Sequence, residues 1–327
     1  MEGAFAPSRG GRPGRTLKVR DSGSCVVVAD LGSSHGRIGV VSLTGEVLGV
    51  QEIELDVADG PDATLDCLVD EWSQAAEGRA IAAAGLALGG PVDPERRCVV
   101  QASRMPDWND VLVGDKLQRM LAVPIVVEND ADAMALGEHL ARGDSAVDSV
   151  TVKAGSAIGS GLVVEGRIYH GWSAGAGNIT HTRVAAPSAA PCSCGNSGCL
   201  ETVASGAGIA RLLRERGIQV ESTSEAVRLA NHGDPDAMSL VRAAGGHLGA
   251  VLCTVVNFVN PGAVYLAGVL SMVEPFVAAV RSQIYEGAHP LATGQLRIEK
   301  ARHGGDSAIV GIARLAVAAA HEQLARA

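Results

Sequence analysis

His181, Cys192, Cys194 and Cys199 supply one imidazole and three sulfurs within a single short segment. That donor count and softness suit a tetrahedral Zn²⁺ ion, and the intervening Gly195, Asn196 and Gly198 permit the tight turns needed to bring three thiolates to one centre. Four protein donors leave no open position for a catalytic water, so the expected role is structural. The alternative for the same residues is a set of reduced thiols or a disulfide pair. Of the seven cysteines, the other four, Cys25, Cys67, Cys98 and Cys253, stand singly in apolar stretches and read as buried, inert thiols. A second set of candidates sits where apolar runs end in polar or glycine turns: Asp30 after Cys25 to Ala29, Gly89-Gly90-Pro91 after Ala82 to Leu88, and Glu128-Asn129-Asp130 after Ile125 to Val127. Strands ending this way are where α/β folds place ligands.

The elements that must position these residues repeat one pattern. Cys25 to Ala29, Arg37 to Ser42 and Glu46 to Leu55 read as a meander of strands, followed by a helix over about Ala63 to Ala76. The second half starts the same way, with runs at Ser149 to Val152, Gly161 to Val164 and Arg167 to Tyr169 around a glycine-rich turn. Helical periodicity follows at Val203 to Arg216 and Ser239 to Val259, a buried strand at Val264 to Ala267, and an Ala/Leu-rich helix from about Ser307. The strand, glycine turn, strand hairpin in each half predicts two lobes of related build. We place them at 25–140 and 141–327, with the final helix a candidate to return to the first lobe.

A chain of 327 residues suits two lobes better than one core, and 47% apolar with 19% charged residues is a globular composition. The net charge of −9 argues against a surface that wraps nucleic acid. No apolar run reads as a membrane span of ~20 residues, and no secretory segment opens the chain; the expectation is a cytoplasmic protein with no membrane partner. Residues 1–24 differ from the rest: a Gly/Pro-rich leader whose first 20 residues set Arg9, Arg12, Arg15, Lys18 and Arg20 against Glu2.

His181 with the string Cys192-Ser193-Cys194-Gly195-Asn196-Ser197-Gly198-Cys199-Leu200-Glu201 closely resembles the signature of the ROK family, named for repressors, open reading frames and kinases. The resemblance runs from Val26 over nearly the whole chain, through Asp30-Leu31-Gly32, Gly90-Pro91-Val92-Asp93, Glu128-Asn129-Asp130, Ile158-Gly159-Ser160-Gly161 and Asn260-Pro261 in the family's order. It implies the actin-like ATPase (ribonuclease H-like) fold, α/β and two-lobed, with a monosaccharide held in the cleft near the zinc loop and ATP across the glycine turns. Under it Asp130 matches the catalytic aspartate, a role that fits the need for a carboxylate to accept a sugar hydroxyl's proton. Gly90, Asn129, Asp130, Asn178, His181 and Glu201 match sugar-binding positions. Asp30, Gly32, Ser34, Gly155, Ser156, Gly159 and Gly268 match nucleotide-binding ones, with ATP and Mg²⁺ as cofactors only where kinase activity is retained. The family's tendency is toward dimers or tetramers.

Departures from the kinase pattern gather on the nucleotide side. The family's Asp-x-Gly-Gly-Thr is Asp30-Leu31-Gly32-Ser33-Ser34, and its Gly-Thr-Gly-Ile-Gly is Gly155-Ser156-Ala157-Ile158-Gly159, which puts a Cβ where positive φ is expected. Paired glycines become Ala267-Gly268, and a sugar-side Glu-x-Gly-His becomes Asn178-Ile179-Thr180-His181, a neutral amide for an anion. The leader resembles the last strand and wing of the winged helix-turn-helix in ROK regulators, so DNA would be contacted only through a domain missing from this chain. Two functions compete: a carbohydrate-responsive transcriptional regulator, a repressor, with weakened or lost phosphoryl transfer, and an ATP-dependent hexose kinase of the glucokinase or N-acetylglucosamine kinase type.

Overall fold

The computed structural model describes residues 2–5, 15–17, 23–32, 36–102, 105–143, 146–186 and 190–326. Of the leader, β1 (Glu2–Phe5) pairs antiparallel with β2 (Arg15–Leu17). Then come β3 (Ser24–Leu31), β4 (Gly36–Ser42), β5 (Val47–Ile53), α1 (Pro61–Ala75), β6 (Ala80–Leu88), the short hairpin β7 (Val92–Asp93) and β8 (Cys98–Val99), α2 (Val113–Leu121), β9 (Ile125–Asn129) and α3 (Asp130–Leu140). The second half holds β10 (Ser149–Ala154), β11 (Ile158–Val164), β12 (Arg167–Ile168), α4 (Glu201–Ala204), α5 (Gly206–Glu215), α6 (Thr223–Asn231) and α7 (Pro235–Val259). It closes with β13 (Ala263–Ala267), α8 (Glu274–Gly287), α9 (Pro290–Thr293), β14 (Arg297–Lys300) and α10 (Ser307–Arg326).

The two five-stranded sheets have one topology. The first runs β5-β4-β3-β6-β9 and the second β12-β11-β10-β13-β14; in each, three antiparallel strands lead into two that join in parallel. The hairpin that repeats in the sequence is the visible part of this duplication. Its parallel strands carry continuous apolar runs, as in β3 and β13, because both faces of each sheet are covered. On the first sheet, α1 and α2 cover one face with Leu65, Leu68, Trp72, Val113 and Leu117, and α3 with α10 cover the other. The second sheet packs on α5, α7 and α8 through Ile209, Leu213, Leu248, Leu252, Phe276 and Val280.

Three expectations need correction. Residues 203–216 are two helices, because Ser205 takes an extended conformation and caps α5, accepting the Gly208 N–H at 3.0 Å. Cys67 is exposed on α1, and Cys253 is only half-buried, whereas Cys25 and Cys98 are buried. Helix α7 and the segment 304–326 are long and apolar enough to cross a membrane, but they send Leu248, Leu252, Val256, Ile309, Ile312 and Ala316 into the core.

Helix α3 touches both sheets and α10. A Cβ on Gly137 would overlap the Ser307 carbonyl, and one on Gly311 the Ala133 carbonyl, so the two helices meet backbone to backbone. Beside this contact Glu138 is fully buried and accepts from Ser307 Oγ at 2.5 Å, from the N–H of Arg302 at 2.8 Å and of His303 at 3.0 Å, and pairs with buried Arg142. Arg142 in turn lies 3.8 Å over the Tyr265 ring. Burial alone would raise the Glu138 carboxyl, but the hydrogen bonds from Ser307, Arg302, His303 and Arg142 hold it below its ordinary value of 4.5.

Glu138→Gln leaves buried Arg142 with only the more distant, part-exposed Glu299 (3.7 Å) as counter-charge and is expected to lower unfolding stability by roughly 3 kcal/mol. A carboxyl whose folded pKa is depressed contributes stability above its unfolded pKa and loses it as pH falls through the folded value. The gap between wild type and variant in urea melts should therefore be widest near neutral pH and close on acidification below about pH 4; a gap that does not vary with pH contradicts this account.

Candidate functional site

Strand β9 ends in Asn129, which is extended (φ −70°, ψ 142°) and caps α3: its Oδ1 accepts from the N–H of Ala131 at 2.9 Å and Asp132 at 3.1 Å. Its Nδ2 donates at 2.6 Å to the carbonyl of Gly90, whose φ of +121° favours glycine. The side chain thus joins the ends of β6 and β9 to α3, a cap that accounts for most of its hydrogen-bonding capacity before any ligand arrives.

Asp130 opens α3 and points across to the second sheet, where Lys153 Nζ on β10 donates to its Oδ2 at 2.6 Å. The negative charge of Asp130, opposed by burial and reinforced by Asp30, raises the lysine above its ordinary pKa, so the ammonium stays charged. Asp30, at the end of β3, and Gly32 lie on this side of the molecule; Ser34 lies outside the described residues. Gly268 (φ +80°) packs where a Cβ would stand 2.5 Å from the Ala154 carbonyl at the end of β10.

The turn between β10 and β11 is fastened from below. The carbonyls of Gly155 and Ser156 accept from the N–H groups of Gly206 (2.8 Å) and Ala207 (3.1 Å), and Glu201 Oε2 accepts from Ile158 N–H at 2.8 Å. Ala157 is absent from the non-glycine residues with positive φ, so the Cβ expected to strain this turn sits on ordinary backbone. That removes the conformational objection to phosphate at this turn. Gly159 and Gly161 then let β11 approach α3: a Cβ on Gly161 would lie 2.7 Å from the Ala131 carbonyl.

His181, Cys192, Cys194 and Cys199 converge with all donor atoms within 4.8 Å of one another. Cys192 Sγ is 3.5 Å from His181 Nδ1 and Cys194 Sγ is 3.6 Å from Cys199 Sγ, close to the ~3.8 Å between sulfurs on one tetrahedral ion with bonds of about 2.3 Å. Gly195 and Gly198, at φ of +87° and +77°, make the turns. The cluster could hold a metal ion. Burial pushes the Cys199 thiol up to about 12, and hydrogen bonding from the Asn196 N–H lowers Cys194, so a bound cation would have to displace the Cys199 proton. Glu201 follows directly, which places the metal cluster next to the Ile158 turn. Asn178 is exposed on the loop before His181.

Two groups therefore form: Gly90, Asn129, Asp130 and Asp30 around Lys153, and His181 and Glu201 with the thiolates and the Gly155 to Gly159 turn. A hollow of about 770 Å³ lies elsewhere, against β5 and α1 between Glu52 and Cys67, and none of the sequence candidates lines it. Sequence reasoning missed Lys153, whose only signal was a lone charge in an apolar strand. It also gave no role to Glu128, Asp132 and His170. Glu128 Oε1 accepts the Asn129 N–H at 2.9 Å, and its Oε2 meets His170 Nε2 at 2.8 Å. Burial, with repulsion from Glu128, pushes Asp132 up to about 8, while the hydrogen bond to Glu128 raises His170.

A β-sheet pair of one duplicated topology with this cysteine loop defines a class, and the comparisons agree. The chain belongs to the ROK family, whose profile matches residues 26–319. It is 28% identical over 306 residues to the glucokinase of Halalkalibacterium halodurans, covering 87% of this chain and 92% of that one. Among solved structures, it is similar to a ROK family transcriptional regulator, a homolog of the Escherichia coli MLC protein (TM-score 0.81, 26% identity, 96% of this chain and 82% of the other). It is also similar to a ROK family glucokinase from Streptomyces griseus in complex with glucose and AMPPNP (TM-score 0.76, 26% identity, 90% of this chain and 99% of the other). The fold is that of the ROK sugar kinases, the actin-like ATPase fold.

Asn129→Ala removes the α3 cap and the Gly90 tether together, and should lower stability by about 1–2 kcal/mol in chemical denaturation. Asn129→Asp keeps the acceptor and should lose less; equal losses would show that the cap contributes nothing.

Proposed function

We propose that the chain is the ligand-sensing module of a cytoplasmic, carbohydrate-responsive ROK transcriptional regulator, a repressor whose phosphoryl transfer is weakened or lost. The observation that carries this reading is the ammonium of Lys153 donating at 2.6 Å into Asp130 Oδ2. A general base must offer a carboxylate oxygen to the proton it removes, and here one of the two, Oδ2, already accepts from a cation held in its charged form. The neutral Asn178 in place of the family's glutamate weakens the sugar side for catalysis in the same direction. The regulator structure also matches 96% of the chain, a share that has to include part of the segment before Val26, whereas the glucokinase structure matches 90%. The strand pair β1 and β2 in that segment is consistent with the wing of a DNA-binding domain.

In this reading a monosaccharide rests between Gly90, Asn129 and Asp130 on one side and Asn178, His181 and Glu201 on the other. Zinc bound by His181, Cys192, Cys194 and Cys199 fixes the second wall, because Glu201 follows the last thiolate and braces Ile158. Subunit arrangement in a dimer or tetramer would carry the signal. The kinase alternative keeps one specific support: Glu128-Asn129-Asp130 is whole, and Ala157 leaves the phosphate turn unstrained. Under it Asp130 would take the sugar hydroxyl's proton while ATP with Mg²⁺ supplied the phosphoryl group.

Calorimetry should detect binding of one or more of glucose, N-acetylglucosamine, mannose and xylose, with phosphate transfer from ATP well below ~1 s⁻¹. Transfer at that rate or faster, abolished by Asp130→Asn, overturns the regulator reading. Metal analysis should find one equivalent of zinc, and Cys192→Ser should lose it and lower the thermal midpoint by roughly 5–10 °C. Zinc well below one equivalent, with Cys192→Ser as stable as wild type, rejects the structural ion.

A further inference from the structure

Glu128, Asp132 and His170 stand outside every role assigned so far. They come from three elements: the end of β9, the first turn of α3, and the residues just beyond β12 on the second sheet. One carboxylate oxygen from each acid and one ring nitrogen of the histidine lie within 4.8 Å of one another. His170 Nε2 and Glu128 Oε2 are 2.8 Å apart, near the ~3 Å that separates two adjacent donors on an ion with bonds of about 2.1 Å. Asp132 is 7% exposed, and its Oδ1 has no hydrogen-bond partner. A buried carboxylate oxygen in a folded protein is almost always satisfied, so an orphan on a carboxylate that meets two other donors within 4.8 Å calls for a missing partner. Two buried carboxyl groups also crowd a single imidazole, an arrangement that a cation between them would relieve.

We propose that Glu128, Asp132 and His170 form a second metal site, separate from the cysteine loop, that binds a divalent first-row transition ion of borderline to hard character such as Mn²⁺. Nitrogen and carboxylate donors without sulfur suit such an ion, whereas the thiolate cluster selects zinc. Three protein donors leave positions for water, and the part-exposed side of His170 gives the ion a way in. The ion joins the exit of the β11–β12 hairpin to the start of α3. Glu128 contributes one oxygen to it and keeps the other on the Asn129 N–H, so the site braces the turn that carries Asn129 and Asp130. The inference does not depend on whether the chain senses sugar or phosphorylates it.

Full-length protein, with zinc present and the excess removed, is titrated with Mn²⁺ and the bound fraction read by electron paramagnetic resonance and equilibrium dialysis. The expected result is one Mn²⁺ per chain. Asp132→Asn and His170→Gln should each weaken it by at least about tenfold, with zinc content and far-ultraviolet circular dichroism unchanged, and Cys192→Ser should leave Mn²⁺ binding as it is. Two variants of different residue type guard against one that fails to fold. No stoichiometric Mn²⁺ at millimolar concentration, or binding that survives both variants and falls instead in Asp30→Asn, overturns the assignment. Loss of the zinc site alone would bear on the cysteine loop and not on this one.

Discussion

The close approach of α3 to its neighbours is the constraint on which the rest of the structure depends. Gly137 and Gly311 bring α3 and α10 together with no side chain between, and Gly159 and Gly161 do the same for β11 against the first turn of α3. With that spacing, one helix of eleven residues serves both sheets. Its N-terminal end delivers Asp130 to Lys153 on β10 and Asp132 to His170 beyond β12. Its C-terminal end delivers Glu138 and Arg142 to the start of α10 and to Tyr265 on β13. Because packed backbones are not continuously deformable, a ligand that shifts the first turn of α3 must displace the helix as a unit, and with it the contact to α10.

The fold was legible in the sequence to the extent that it is local and repeated. Period-two and apolar runs placed β3, β4, β5, β10 and β11 to within a few residues, and the recurrence of strand, glycine turn and strand anticipated the duplicated sheets. The cysteine loop was legible for the same reason: its donors lie close together along the chain, and Gly195 and Gly198 supply the turns. What escaped were partnerships made at long range. Lys153 meets Asp130 across 23 positions and His170 meets Glu128 across 42, and neither residue carries a mark in its own neighbourhood that predicts the contact. Ala157 failed in the other direction. A missing glycine suggested strain, yet the turn it occupies needs no positive φ, because Gly155 donates its N–H to the Ala157 carbonyl and the turn is held from outside by Gly206 and Ala207.

Electrostatically the site is built from charges that answer one another across the two sheets. Asp30 and Asp130 face Lys153, and Glu128 with Asp132 faces His170. The first set places one ammonium between two carboxylates at a partly solvated edge, where water screens the remaining charge. The second sets an imidazole against two carboxyl groups with almost no exposure, and there burial with repulsion from Glu128 favours the neutral acid at Asp132. A buried negative charge is costly unless something neutralises it, so the two sets, only two residues apart on α3, meet that cost differently: the first with a lysine and solvent, the second with a proton held on Asp132.

The Lys153 pair also separates two properties that phosphoryl-transfer sites usually combine. A carboxylate has about four acceptor sites, and the ammonium occupies one of them, on Oδ2. A hydroxyl group can therefore still donate a hydrogen bond to Asp130. Removal of that hydroxyl's proton is a different demand: the proton must go to a carboxylate that already accepts from a charged lysine, in a pocket where moving the lysine away leaves Asp30 and Asp130 without their shared cation. Recognition requires only that Asp130 remain an acceptor, while transfer requires that it become an acid. A lysine on β10 is compatible with the first and opposes the second, and this difference is the physical basis of the proposed sensing role.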